Sequence, residues 1–314
     1  MFKAIESTYD VWSLMEVKIL GSGGSVPARG RCLPSVVIKR KSEVIMLDCG
    51  EGTQRQVVAS RVGFNRDMKI LLTHMHADHV LGLSGLLHSM SLLGRERKLQ
   101  IFGPPRIRDF VRSMSRTTYF TPSFPVEVRE VEGGVILRNS EYEISAAWAS
   151  HVVPCLAYAL AERPRPGKFN PRKAKALGIP EGPLWKRLQM GEKIKVHGKV
   201  VRPREILGPQ RLGAKIVYAV DTRPCRAVVK LATGANLLIH DATFDSSLEE
   251  KAFRDGHSTA KQAAEVAGKA GVYRLLLTHI SARYSEPDVL LTEAKKVFPR
   301  TILASDLMTI NVEA

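Results

Sequence analysis

The chain has 314 residues, 44% of them hydrophobic, and 47 Lys or Arg against 31 Asp or Glu give it a formal net charge of +16. That length and apolar content suffice for one large core or two modest ones, and no apolar run approaches the roughly 20 residues of a bilayer-spanning helix, so no membrane partner is expected. The cysteines, Cys32, Cys49, Cys155 and Cys225, stand far apart with no CxxC pair, which argues against a disulfide framework and for reduced, mostly buried thiols in a soluble, cytoplasmic protein.

In chain order, Met1–Leu14 is mixed in character and carries acids early, unlike a signal peptide. It reads as an extension ahead of a fold that opens with the strand-like Val17–Leu20. Apolar runs predict strands at Ser35–Ile38 and Val44–Leu47, then a helix over Thr53–Arg61, a strand at Ile70–Leu72 and a helix over Leu81–Leu93. A strand at Gln100–Phe102, a helix over Pro105–Met114 and strands at Val126–Val131 and Tyr142–Ala147 come next. Past residue 215 the pattern resumes with strands at Ile216–Val220 and Leu237–Ile239, a helix over Ser258–Ala270, a strand at Leu275–Leu277, a helix over Glu286–Val297 and a strand at Ile302–Ala304. Ser258 is placed to cap its helix and Gly271 to end it. The run Ile70-Leu71-Leu72-Thr73-His74 recurs as Leu275-Leu276-Leu277-Thr278-His279. This echo fits an α/β fold of two related halves packed sheet against sheet, with helices outside and chemistry gathered at one edge.

The densest chemistry lies in Thr73-His74-Met75-His76-Ala77-Asp78-His79, directly after an apolar strand. Neutral imidazoles and a carboxylate form a borderline-soft ligand set that suits zinc best. Neighbours such as Asp78 and His79 cannot easily reach one centre, so the spacing suggests two ions, with His74 and His76 on one and Asp78 and His79 on the other. His151, Asp221 and His279 also follow strand-like runs. Taken singly, a His or Asp after a strand is as often a turn or cap residue as a ligand. Together they complete the set: His151 joins His74 and His76, His279 joins Asp78 and His79, and Asp221 can bridge.

Charge is concentrated as well. From Ala161 to Lys215 the chain carries fifteen Lys or Arg against four acids, a net +11. The segment is rich in Pro and Gly and shows little apolar periodicity. Such a run can be no more than a solvated face, but beside a metal site it points to a polyphosphate partner, most plausibly nucleic acid.

The His74–His79 motif resembles that of the metallo-β-lactamase superfamily, whose fold is an αβ/βα sandwich that binds two zinc ions. More narrowly, the chain resembles the short archaeal and bacterial tRNase Z (ribonuclease Z) family from Val17 to the C-terminus. The likeness is carried by Gly21–Pro27, Asp48–Gln56, Thr73–Leu87, Gly178–Pro183, Asp221–Pro224, Ala242–Phe244, Gly256–Thr259 and Thr278–Ser281. It implies one such domain over residues 15–314, with an exosite arm for the tRNA elbow inserted at about 162–212, and a homodimer. It also implies two Zn2+ per chain on His74, His76, Asp78, His79, His151, Asp221 and His279, and precursor tRNA as substrate. Asp78 would orient or deprotonate the attacking water. His257, otherwise readable as an ordinary helix-start histidine, would protonate the leaving oxygen, giving a 3′-hydroxyl on the tRNA and a 5′-phosphate on the trailer. Departures from the family pattern fall at Cys32, Val152, Val220 and Asp241, none of them a proposed ligand. A small-molecule hydrolase of the same superfamily would use the same metals but has no reason for the basic arm. A non-catalytic nucleic-acid binder has no reason to keep a full ligand set.

Overall fold

The computed structural model describes residues 15–314; the extension expected over 1–14 lies outside them. Two seven-stranded sheets face each other. The first runs Thr309–Val312, Met15–Gly21, Ser35–Arg40, Glu43–Leu47, Asp67–Leu71, Leu99–Gly103, Val126–Glu130. The second runs Thr301–Leu303, Arg274–Thr278, Leu237–Asp241, Lys215–Ala219, Leu156–Glu162, Tyr142–Trp148, Gly134–Arg138. In each sheet four neighbouring strands are parallel and the rest antiparallel, so the two halves share one plan.

The burial pattern explains the layers. Val17, Ile38, Ile45 and Leu71 of the first sheet pack against Ile144, Tyr158, Ile216 and Ile239 of the second. Burying each of these side chains is worth roughly 1.5–3 kcal/mol. On the outer face of the first sheet, Met68 and Ile70 meet Val57, Leu83, Leu87 and Ile107 from the helices Thr53–Ala59, Gly82–Leu92 and Ile107–Thr117. The second sheet is covered by Arg226–Ala232, Ala260–Ala270 and Asp288–Val297. Strands buried on both faces lose polar alternation, which is why Leu156–Glu162 is hard to see in sequence: every residue but Ala161 is buried. Gly134–Arg138 escaped for the opposite reason, as an edge strand that is half-buried or exposed throughout.

Helix caps decide two local details. Gly271 ends Ala260–Ala270 in the left-handed conformation, as expected. The N-cap, however, is Thr259 and not Ser258. The Thr259 hydroxyl accepts the Gln262 N–H and the Gln262 side chain accepts the Thr259 N–H, a reciprocal capping box. Ser258 Oγ donates instead to the Thr222 carbonyl at 2.6 Å, tying the helix start to the loop after Asp221.

The basic segment is folded, contrary to its weak periodicity. It holds the helices Pro171–Ala176, Pro183–Gln189 and Pro203–Ile206 and the hairpin Ile194–Val196 with Lys199–Val201. Ala174, Ile179, Leu188, Ile194, Val201 and Ile206 form a small core of its own, flanked by Phe169 and Trp185. Elements this short cannot display a helical or strand period. The segment leaves and re-enters the second sheet side by side, where Ala161 pairs with Lys215. Its base is clamped by Arg40, buried on the first sheet, whose Nε donates to Glu162 at 2.9 Å. Among the described residues no helix is long and apolar enough to cross a membrane.

Candidate metal centre

Each candidate side chain leaves a strand at the same edge of the sandwich. The His74–His79 loop follows Asp67–Leu71, His151 follows Tyr142–Trp148, Asp221 follows Lys215–Ala219 and His279 follows Arg274–Thr278. His76 precedes the single helical turn Ala77–Val80, which carries Asp78 and His79. Asp221 and His279 adopt left-handed backbone, with φ of 50° and 60°, and so does Asp48, at 58° after Glu43–Leu47. Such conformations cost side-chain-bearing residues energy and persist where the surroundings over-determine them.

The side chains converge as two groups that share one carboxylate: His74, His76, His151 with Asp221, and Asp78, His79, His279 beside it. Asp221 divides between them. Its Oδ1 lies 4.0 Å from His74 Nε2 and 3.8 Å from His151 Nε2, its Oδ2 3.0 Å from His79 Nε2 and 3.1 Å from His279 Nε2. His151 Nε2 is 3.3 Å from His76 Nδ1, and His79 Nε2 is 3.3 Å from His279 Nε2. Asp78 Oδ2 stands 3.4 Å from His79 Nε2 and 3.6 Å from His279 Nε2. Ligands at ~2.0–2.2 Å from a tetrahedral zinc are roughly 3.3–3.6 Å apart, so the separations among the histidines and from Asp78 match the edges of such a polyhedron, and those from Asp221, 3.0–4.0 Å, lie on either side of that range. Two atoms make the fit sharper. His74 Nε2 and Asp221 Oδ2 are buried without a hydrogen-bond partner among the described residues. Orphaned buried polar atoms are costly unless an ion satisfies them, and the donor set fits a metal.

Outer contacts fix three of the imidazoles. His79 Nδ1 donates to Asp48 Oδ2 at 2.8 Å, leaving Nε2 to face the centre. Asp48 also accepts from Thr73 N–H at 2.8 Å and from the Tyr218 hydroxyl at 3.0 Å. His151 Nδ1 donates to the Gly256 carbonyl at 2.8 Å. A Cβ on Gly256 would sit 2.5 Å from that nitrogen, and its φ of +86° also demands glycine. His279 Nδ1 meets the Thr243 hydroxyl at 2.9 Å, which itself donates to Asp241 Oδ1 at 2.7 Å. Supports of this kind set the tautomer and aim of a ligand.

The field at the centre favours positive charge. Among the described residues the ion partners of Asp78 and Asp221 are histidines. Burial opposes ionisation of both carboxyls, yet the facing histidines hold them well below the usual range. Burial likewise opposes charge on His79, but Asp221 and Asp48 outweigh it and raise its pKa well above the ordinary value. His74 and His151, dominated by burial, are lowered, towards the neutral form that binds metal, while on His79 a metal ion would take the place of the proton that the two carboxylates favour.

His257 differs from the rest. It lies close enough to Asp221 and His279 to be grouped with them, but its Nδ1 is bonded to Asp241 Oδ2 at 2.9 Å and stands 3.6 Å from Asp221 Oδ1. An N–H held by a carboxylate is not a ligand atom. Burial works against the charged ring, and Asp241 and Asp221 overcome it, pushing the pKa up to about 9. Every residue expected at the site is therefore gathered here. Sequence reasoning passed over Asp48, Tyr218, Thr243 and Asp241 as supports. Asp48 was the findable one, since it follows an apolar strand just as Asp221 and His279 do.

The chain is similar to known proteins along most of its length. A family model described as "Beta-lactamase superfamily domain" matches residues 207–280, and one described as "Anti-Pycsar protein Apyc1" matches residues 15–116. The ribonuclease Z of Methanothermobacter thermautotrophicus is 44% identical over 301 residues, which cover 96% of this chain and 98% of that protein. The ribonuclease Z of Methanosarcina acetivorans is 43% identical over 300 residues, 95% and 98% of the two chains. Among solved structures, the short form of human tRNase Z superposes with a TM-score of 0.70 at 26% identity, covering 96% of this chain and all of that one.

Proposed function

Since the chain belongs to the ribonuclease Z family, we propose that this tRNA 3′-processing endoribonuclease cuts the 3′ trailer from precursor tRNA at a two-zinc centre on His74, His76 and His151, on Asp78, His79 and His279, and on the shared Asp221. The observation that carries the reading is the division of Asp221 between the two trios, with Oδ1 towards one and Oδ2 towards the other. Two zinc ions, when bound, supply Lewis-acid activation of a water nucleophile and neutralise charge on the scissile phosphate.

The chain's own residues supply the rest. Asp78 is the more accessible of the two ligand carboxylates, its side chain 12% exposed against 3% for Asp221, with Oδ2 anchored by the Ser25 N–H at 2.9 Å. It is the group placed to orient the water and take its proton. As the new O–P bond forms, the bond from phosphorus to the 3′ oxygen of the tRNA breaks. His257, kept protonated by Asp241, supplies the proton that this oxygen needs to leave as a hydroxyl. The products are a tRNA with a 3′-hydroxyl and a trailer with a 5′-phosphate.

The segment at about 162–212 is the exosite arm in this reading, supported by its +11 charge between Ala161 and Lys215 and its separate core. The working enzyme is a cytoplasmic homodimer in which the arm of one subunit can hold the tRNA cut by the other. Incubation with a 3′-extended tRNA, followed by mapping of both product ends, tests the proposal. A chelator-sensitive cut next to the discriminator base, with these end groups, supports it. Hydrolysis of small phosphodiesters with intact precursor tRNA would overturn it in favour of a small-molecule hydrolase.

A further inference from the structure

Asp306 lies between the Thr301–Leu303 strand of the second sheet and the Thr309–Val312 strand of the first, so it sits where the chain crosses from one sheet to the other. Both of its oxygens are committed. Oδ1 accepts the Ser22 N–H at 3.0 Å and the Ser22 hydroxyl at 2.7 Å, and Oδ2 accepts the Cys32 N–H at 2.7 Å and Gln56 Nε2 at 3.2 Å. The Ser22 hydroxyl in turn accepts from Arg31 Nη1 at 2.7 Å. One carboxylate thereby fixes the glycine-rich turn after Met15–Gly21.

That turn touches one half of the metal centre. The Ser22 carbonyl accepts the N–H of Ile280, the residue after His279, at 3.0 Å. Gly23 and Gly24 then pair in parallel with Ile280 and Ser281. Gly24 lies so close to the His279 ring that a Cβ there would be 2.4 Å from it. One residue on, the Ser25 N–H holds Asp78 Oδ2. Among the described residues these contacts run to Asp78 and His279, and not to His74, His76 or His151.

We infer that Asp306 is a positioning residue for the Asp78–His79–His279 half of the centre, acting through Ser22 and the Gly23–Ser25 turn. This rests on the two-ion reading above. Supports at one remove from a ligand typically govern metal affinity by about 10–100-fold; Asp306 stands one step further out, behind Ser22 and the turn, so it sets the affinity of one ion selectively and by less, up to about 10-fold. Asp306→Asn keeps the size of the side chain but turns one acceptor edge into a donor that faces donors.

The test measures zinc affinity by competition with a chromophoric chelator, in two backgrounds that each leave one half of the centre. In His76→Ala, where Asp78, His79 and His279 remain, adding Asp306→Asn should weaken zinc measurably, by up to about 10-fold, the lower end of the range for direct supports. In His279→Ala, where His74, His76 and His151 remain, the same change should leave affinity unaltered. Ser22→Ala, which removes the hydroxyl that links Asp306 and Arg31 and keeps the Ser22 N–H on Asp306, should act in the same direction as Asp306→Asn and less strongly, and it decides the matter if Asp306→Asn does not fold. Equal weakening in both backgrounds, in step with the melting temperature of the metal-free protein, would make Asp306 a general fold residue and overturn the inference. Unaltered affinity in both would also overturn it. A wild-type protein that takes up fewer than two ions would instead sink the two-ion reading beneath it.

Discussion

Asp48→Asn is the sharpest probe of how the sandwich aims a ligand. The substitution keeps the volume, so no cavity forms, and it changes only what the two terminal atoms can do. If the amide nitrogen takes the place of Oδ2, its N–H groups face His79 Nδ1 and the Tyr218 hydroxyl, which stand 2.8 and 3.0 Å from that oxygen. Tyr218 can turn its hydroxyl to accept. His79 can accept only by moving its proton to Nε2, the atom that stands 3.0 Å from Asp221 Oδ2, and a protonated nitrogen cannot bind metal. If the nitrogen takes the place of Oδ1, it meets the Thr73 N–H, 2.8 Å away, which cannot reverse. One buried donor is then unpaired, at about 1–3 kcal/mol. In both orientations His79 loses the charged acceptor behind its Nδ1–H, so the affinity for one zinc ion should fall about 10–100-fold, and in the second the metal-free protein should also lose about 1–3 kcal/mol in urea unfolding. Chelator competition and denaturation on the same preparation separate the two effects. Zinc affinity equal to wild type alongside a stability loss would show that Asp48 serves the fold alone and refute this account of His79.

Asp221→Ala should depress both ions together, because it removes the carboxylate common to the two trios; metal analysis that finds both retained would contradict a shared ligand. His257→Ala should slow cleavage of precursor tRNA by roughly 10²–10⁴-fold, the usual worth of a general acid, with zinc content unchanged, and loss of zinc would instead make it a ligand. Replacing Pro164–Leu212 by a short glycine linker should leave hydrolysis of bis(p-nitrophenyl) phosphate standing, because none of the proposed ligands lies in that segment. Affinity for precursor tRNA should fall steeply, and its log–log salt dependence should flatten by about 0.9 for each phosphate of duplex-like RNA that the arm neutralises; unchanged affinity and slope would refute the exosite reading.

The groups of the candidate centre were legible because they stand at or just past the ends of apolar strands, where a continuous apolar run gives way to a His or Asp. The Leu-Leu-Thr-His echo announced both halves of the fold for the same reason. Supports were harder to read, because Thr243 and Tyr218 are ordinary strand or turn residues until three dimensions bring them to His279 and Asp48. Asp241 showed only as a departure from the family pattern, and its grip on His257 depends on a turn sixteen residues away. The arm misled in another way. Its core is assembled from helices of four to seven residues and a hairpin of two three-residue strands, too short for periodicity to accumulate, so charge was visible and structure was not.

The pairing of Ala161 with Lys215 has a consequence for how such a protein can change over generations. Topologically, everything between those two residues is the loop of a hairpin, and loops of paired neighbours tolerate insertion and deletion far better than the strands that carry them. The catalytic edge and the inserted lobe can accordingly diversify on separate schedules: the lobe can be lengthened, recharged or exchanged without shifting the register of Leu156–Glu162 against Lys215–Ala219. A chimera that carries a foreign lobe at this junction should keep its chemistry and acquire a new clientele.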